Sequence, residues 1–184
     1  VLSPELPYIV VLQHPVTTEY GEGLQQIRET LKAVHNIGTE GMQVVWLWPN
    51  VDAGSDKISK GIRIFREKND VPFIHFFKNM SPENFLKLLI NSKCLIGNSS
   101  TGIRECSFLG IPVVNIGDRQ KRRLRAENVL DVDYDSLEIS NAIKSQIENG
   151  KYAKSTIYGN GDAGEKIAEL LATVKFSIEK QITY

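Results

Sequence analysis

The chain has 184 residues, enough for one well-buried domain and too few for two of ordinary size. Its 41% hydrophobic and 24% charged content is that of a globular protein, not of a disordered or fibrous one. Lys+Arg and Asp+Glu both number 22, no apolar run reaches the ~20 residues of a membrane span and no signal peptide opens the chain, which argues against nucleic-acid and membrane partners.

Tyr8-Ile9-Val10-Val11-Leu12 is a continuous apolar, β-branched run, as expected of a strand covered on both faces. Gln13-His14-Pro15 ends it, and Thr17-Thr18-Glu19 leads into a helix with Leu24, Ile27, Leu31 and Val34 on one face. A second strand, Gln43 to Trp48, closes at Pro49-Asn50. The spacing predicts a helix from about Lys57 to Lys68 with Ile58, Ile62 and Phe65 inward. Val71 to Phe76 reads as a third strand, and Pro72 restricts it to an edge or a strand start. Ser81-Pro82-Glu83 opens a helix with a cap, a proline at the first helical position and an early acid. Phe85, Leu88 and Leu89 supply its inner face.

Cys94 to Ile96 is the fourth strand. It ends abruptly in Gly97-Asn98-Ser99-Ser100-Thr101-Gly102, followed by a helix to Gly110 with Ile103, Cys106 and Leu109 at helical spacing. A strand, a tight turn and a helix N-terminus leave backbone N–H groups without intrahelical partners, and the helix dipole adds partial positive charge. A phosphate is favoured there; the plainer alternative is that Asn98, Ser99 or Ser100 only caps the helix. Ile111 to Ile116 is a fifth strand and Asn128 to Val132 a shorter sixth. Helices near Ser136–Glu148 and Gly164–Thr173 follow, with 174–184 as a tail. Strands alternating with helices at this spacing define a doubly wound, Rossmann-like parallel α/β sheet of about six strands in one domain. Cys94 and Cys106 fall in a strand and a helix, which fits two buried thiols of a cytoplasmic protein better than a disulfide or a metal site.

In open α/β sheets ligands bind outside the carboxyl ends of the strands, near the switch point of strand order. Polar residues gather at those ends: His14 after strand 1, Asn50 after strand 2, the Gly97 turn after strand 4 and Asp118-Arg119-Gln120 after strand 5. His14 taken singly fits a structural histidine. Beside a phosphate turn it becomes a candidate donor to a diphosphate, or a proton carrier. Glu105 can compensate a helix dipole, worth roughly 0.3–1 kcal/mol, or accept hydrogen bonds from a ribose diol. No G-x-G-x-x-G follows strand 1, which argues against NAD. Arg119, Lys121, Arg122, Arg123 and Arg125 form a basic run that can be a solvated loop or a nucleic-acid patch. Without interleaved aromatics, and in a neutral chain, it suits a diphosphate better.

Five segments carry a resemblance: Gln13 to Thr18, Pro49 to Ser55, Gly97 to Glu105, Val114 to Gln120 and Ile157-Tyr158-Gly159-Asn160-Gly161. Together, in this order, they resemble the hydrolysing UDP-N-acetylglucosamine 2-epimerases, which start sialic-acid synthesis by making N-acetylmannosamine and UDP. The resemblance implies a GT-B-like architecture of two Rossmann-like domains, of which this chain is similar to the second, UDP-binding one. It implies that Ser99 and Ser100 hold the diphosphate with Gly102 in the same turn, and that Glu105 binds the ribose. His14 is the catalytic candidate; Asn50 and Arg119 line the same cleft, and Phe85 lies on the uracil side. It further implies a UDP-N-acetylglucosamine or UDP ligand, no cofactor or metal, a homo-oligomeric full-length enzyme, and an isolated domain that does not turn over without its N-terminal partner domain. The family typically has glycine where this chain has Arg122. A GT-B glycosyltransferase domain, a non-hydrolysing epimerase and a non-catalytic nucleotide-binding module are the alternatives.

Overall fold

The computed structural model describes residues 3, 5–19 and 21–175, so the tail expected over 174–184 lies outside the described residues from 176 onward. Six parallel strands form one sheet: β1 (Tyr8–Leu12), β2 (Gln43–Leu47), β3 (Ile74–Phe77), β4 (Leu95–Gly97), β5 (Val113–Ile116) and β6 (Val129–Val132), in the order β3-β2-β1-β4-β5-β6. The chain begins in the middle and winds outward to either side, so the expected doubly wound sheet is the one observed. β3 is an edge strand, and Pro72 lies outside it, where its missing N–H costs no ladder bond.

Helices α1 (Gly23–Thr39) and α2 (Ser55–Lys68) cover one face together with α6 (Ser136–Asn149). The apolar stripe Ile27, Leu31, Val34 and Ile37 of α1 is buried there against Ile9, Val11 and the fully buried Trp46. Each such side chain contributes roughly 1.5–3 kcal/mol through its removal from water. A smaller cluster on the other face, with Val10, Val45, Leu95 and Val113, packs under α3 (Pro82–Asn91) and the segment after β4. Ser81 caps α3 as expected, its Oγ accepting the Asn84 N–H at 3.4 Å with Pro82 at the first helical position. The last described helix, α7 (Ala163–Thr173), buries none of its residues among the described ones; Ile167, Leu170 and Leu171 are all more than half exposed. Cys94 and Cys106 are free and buried, and burial pushes both thiols up, as expected of inert core groups.

One predicted element is divided. The continuous helix expected from the Gly97 turn to Gly110 is two short ones, α4 (Ser100–Ile103) and α5 (Glu105–Leu109), broken at Arg104 with φ −101° and ψ −72°. The opening Ser100-Thr101-Gly102 is poor in helix propensity. Gly102 also lies so close to β5 that a Cβ there would meet Val113 Cγ1 at 2.8 Å. The packing of that turn on the sheet takes precedence over helix continuity, and Glu105 starts a helix of its own.

Candidate functional site

The switch point lies between β1 and β4, where connections leave to opposite faces and open a crevice at the carboxyl edge. Asn98 is its hub. The Asn98 side chain is fully buried; Oδ1 accepts the His14 N–H at 2.7 Å and Nδ2 donates to the His14 carbonyl at 2.9 Å. Its own carbonyl accepts Arg119 Nη1 at 3.1 Å and Gln120 Nε2 at 2.8 Å. Three loops, after β1, β4 and β5, thus meet on one residue whose polar groups are all engaged. An amide can pair reciprocally with a backbone N–H and C=O, which a carboxylate or a hydroxyl cannot do as well.

Gly97 makes the approach possible. With φ +134°, it would place a Cβ 2.1 Å from the Leu12 carbonyl oxygen. Only glycine allows β1 and β4 to end side by side here and deliver Asn98 into the crevice.

His14 Nδ1 accepts the Asn50 N–H at 3.3 Å, so the proton of the neutral ring sits on Nε2. Burial, then the nearby Arg119 charge, lower the His14 pKa to about 4, and Asp52 opposes the shift. At neutral pH the ring is therefore an uncharged Nε2–H donor. Ser99, not Ser100, caps α4, with Oγ accepting the Thr101 N–H at 3.3 Å.

The basic run resolves into one inward residue and a set of surface pairs. Lys121 Nζ meets Asp118 Oδ2 at 2.7 Å and Arg125 Nε meets Asp131 Oδ2 at 3.0 Å, each worth little because the partners are solvated. Arg119 makes no ion pair among the described residues, and its remaining guanidinium donors are available to an anion. Arg122 occupies the left-handed region at φ +66°, alone in this among the described non-glycine residues. A side chain there costs roughly 1–2 kcal/mol, against the ~0.5–1 kcal/mol of chain entropy that glycine adds. Arg122→Gly is therefore expected to raise stability by roughly 0.5–1 kcal/mol in a urea melt, and an unchanged or lowered midpoint would contradict the strain.

Glu105 lines a cavity of about 400 Å³ with Leu86, Phe108 and Tyr158, and its Oε2 is buried without a partner among the described residues. Phe85 is not there: it packs with Asn50, Trp48 and Met80 around a separate cavity of about 250 Å³. Leu86 and Phe108 were missed from sequence, and Tyr158 was named there only within the Ile157–Gly161 motif, without a role; for Leu86 the available sign was that Phe85, Leu88 and Leu89, taken inward, leave it outward on α3. Tyr134 was missed as well. Its ring lies so close to Gly117, at φ +69°, that a Cβ there would meet it at 2.5 Å, and burial pushes its hydroxyl up to about 12. Gln13 Oε1, Gln120 Oε1, Glu105 Oε2 and the Tyr134 hydroxyl are four of five buried side-chain polar atoms without a partner among the described residues, and they flank this edge. Buried polar atoms are normally paired, so such atoms in residues at the carboxyl ends of β1, β4 and β5 mark a place for a polar ligand.

The family described as UDP-N-acetylglucosamine 2-epimerase matches over residues 3–172. A UDP-N,N'-diacetylbacillosamine 2-epimerase (hydrolyzing) of Legionella pneumophila is 31% identical over 172 residues, 94% of this chain and 44% of that protein. A UDP-N-acetylglucosamine 2-epimerase of Neisseria meningitidis is 29% identical over 89% of this chain and 42% of its own length. Among solved structures, the UDP-GlcNAc 2-epimerase of Methanocaldococcus jannaschii superposes with a TM-score of 0.71 at 16% identity, over 90% of this chain and 45% of that one, which shows the shared fold. The chain spans somewhat under half the length of these relatives. With a match over nearly all of its residues, the chain belongs to the UDP-N-acetylglucosamine 2-epimerase family.

Proposed function

We propose that this chain is the UDP-binding domain of a hydrolysing UDP-N-acetylglucosamine 2-epimerase, which converts UDP-N-acetylglucosamine and water to N-acetylmannosamine and UDP. The reading is carried by two features of the segment that follows β4: a buried Glu105 oxygen without a partner among the described residues, in a 400 Å³ cavity, and the His14 and Arg119 donors gathered on Asn98 at the start of the same segment. A carboxylate suits a ribose diol, which offers two O–H donors; the Arg119 guanidinium and His14 Nε2–H suit a diphosphate. Ser99 and Ser100 border that floor, and Gly102 seats their turn on β5. Asn50 and Phe85 wall the side reached from β2 and α3. The hydrolysing Legionella relative, matched over nearly the whole chain, supports this branch of the chemistry.

In the proposed reaction a base removes the C2 proton while the C1–O bond breaks, and UDP leaves with the bonding pair. Water then adds across the resulting double bond, oxygen at C1 and hydrogen at C2 on the opposite face. These residues act on the leaving group: Arg119 and His14 Nε2–H meet charge that grows on the diphosphate as the bond breaks, so their interaction is stronger in the transition state than in the substrate. The C2 base belongs to the further domain that the doubled length of the relatives accommodates, which leaves this domain a binding unit by itself.

Titration calorimetry with the purified chain tests the assignment. Glu105→Gln is expected to weaken UDP by roughly tenfold or more, the loss of hydrogen bonds to a charged acceptor, and to leave inorganic pyrophosphate nearly unchanged. Equal losses for both ligands, or no UDP binding by the unaltered chain, would overturn the reading.

A further inference from the structure

The segment from Tyr152 to Tyr158 runs along α5 as a strap. Tyr152 N–H donates to the Gly110 carbonyl and Ser155 N–H to the Ser107 carbonyl, both at 2.9 Å. Between them Lys154 Nζ stands 3.5 Å above the centre of the Phe108 ring. The strap is thus fixed to the short helix that begins with Glu105. At its far end the Tyr158 ring forms part of the Glu105 cavity, while its hydroxyl donates to the Leu124 carbonyl at 2.9 Å. Leu124 belongs to the loop that starts with Arg119 and passes through the strained Arg122. Arg119 itself holds the Asn98 carbonyl through a single nitrogen at 3.1 Å. Gln120 Nε2 holds the start of that loop on the Asn98 carbonyl at 2.8 Å, and at its end Asn128 Oδ1 accepts Ser107 Oγ of α5 at 2.9 Å; between these anchors, the Tyr158 bond to Leu124 joins the middle of the loop to the strap.

We propose that Tyr158 is a positioning residue that ties the Arg119 loop to the Glu105 helix, setting the separation between the diphosphate-binding and ribose-binding groups. The inference rests on the nucleotide reading given above. Its physical content is that a nucleoside diphosphate has a fixed distance between its ribose and its phosphates. A guanidinium on a loop freed along its middle must be reordered when the ligand binds, and that ordering lowers affinity. Tyr158→Phe keeps the ring in the cavity wall and removes only the hydroxyl, which separates the tether from the packing.

Two measurements on the full chain decide it. The first is limited trypsin digestion, which reads loop opening without any ligand because Lys121, Arg122, Arg123 and Arg125 are cleavage sites. Tyr158→Phe is expected to speed cutting in this loop several-fold, with the remaining sites cut as before; equal rates for both proteins would overturn the tether. The second is calorimetric titration of pyrophosphate, uridine and UDP. The loss of one ordinary hydrogen bond, felt through Arg119, is expected to weaken pyrophosphate and UDP by about threefold to tenfold and to spare uridine. In an Arg119→Ala background the same Tyr158→Phe change is expected to have no further effect on pyrophosphate, since the residue acts through Arg119. Additive losses, or equal losses for uridine and pyrophosphate, would overturn the positioning role while leaving the nucleotide reading intact. If the unaltered chain binds none of the three ligands, both fall together.

Discussion

Gly97→Ala is expected to lower the stability of the domain by at least about 3 kcal/mol, and to unfold much of the protein at 37 °C. Three effects act in the same direction. The backbone at φ +134° is one that an L side chain rarely adopts, which alone costs on the order of 1–3 kcal/mol. The added Cβ would lie 2.1 Å from the Leu12 oxygen and 2.6 Å from its carbon, atoms of a paired strand that no rotamer change can move aside. Relieving the overlap means parting β1 from β4 at the register pair Leu12↔Gly97, which pulls at the Asn98 N–H bond to the Leu12 carbonyl and at both Asn98–His14 bonds. Each buried group left unpaired adds roughly 1–3 kcal/mol. Gly164→Ala is the control: it lies in α7 with nothing within 4 Å of a new Cβ, and helix propensity predicts a gain of up to ~1 kcal/mol. Urea melts of the two variants beside the parent measure both numbers, and a loss under 1 kcal/mol for Gly97→Ala would contradict the close approach.

Acid is expected to act on the fold through His14. The folded-state pKa, about 4, lies below the ordinary value of 6.5. Between those limits the unfolded chain binds a proton that the folded chain refuses, so stability rises with pH in this window and falls as pH drops. The contribution is whole above pH 6.5 and is lost by about pH 4; with 1.36 kcal/mol per pH unit it amounts to roughly 3 kcal/mol. His14→Gln cannot titrate. Carboxylates protonate in both proteins over the same range, so the difference between the two stability curves isolates the imidazole. The parent is expected to lose roughly 3 kcal/mol more than His14→Gln between pH 7 and pH 4, and parallel curves would show that the ring is free to protonate in place.

The parallel sheet was legible because its signals are local. Continuous β-branched runs such as Tyr8 to Leu12, the cap at Ser81 and the proline beside β3 each report on a few neighbouring residues. The gathering of His14, Asn50, the Gly97 turn and Arg119 at one edge followed from strand alternation alone. What escaped depends on contacts between distant segments. Arg119 turns inward only because the Asn98 carbonyl arrives from the end of β4, so the run of five basic residues looked like a single patch when one of them faces inward. Leu86 and Tyr134 reach the site from α3 and from just after β6 with no local pattern to mark them, and the motif around Tyr158 did not show which cavity its ring would line. The break at Arg104 is a compromise between helix continuity and the seat of Gly102 against Val113, and only the second partner's position reveals it.

The bareness of α7 has a dynamic consequence. An isolated helix of 11 residues is marginal in water, because nucleation costs more than so few backbone bonds return. With none of its residues buried among the described ones, α7 has no packed face there to make up the difference. Its amide hydrogens are therefore released to solvent by fraying of that one segment, at a free energy near zero. Amides in the centre of the sheet at β1 and β4 are released only when the whole domain opens. The domain thus divides into a slowly exchanging centre and a fast-exchanging α7, which begins two residues beyond the Gly159–Gly161 wall of the Glu105 cavity.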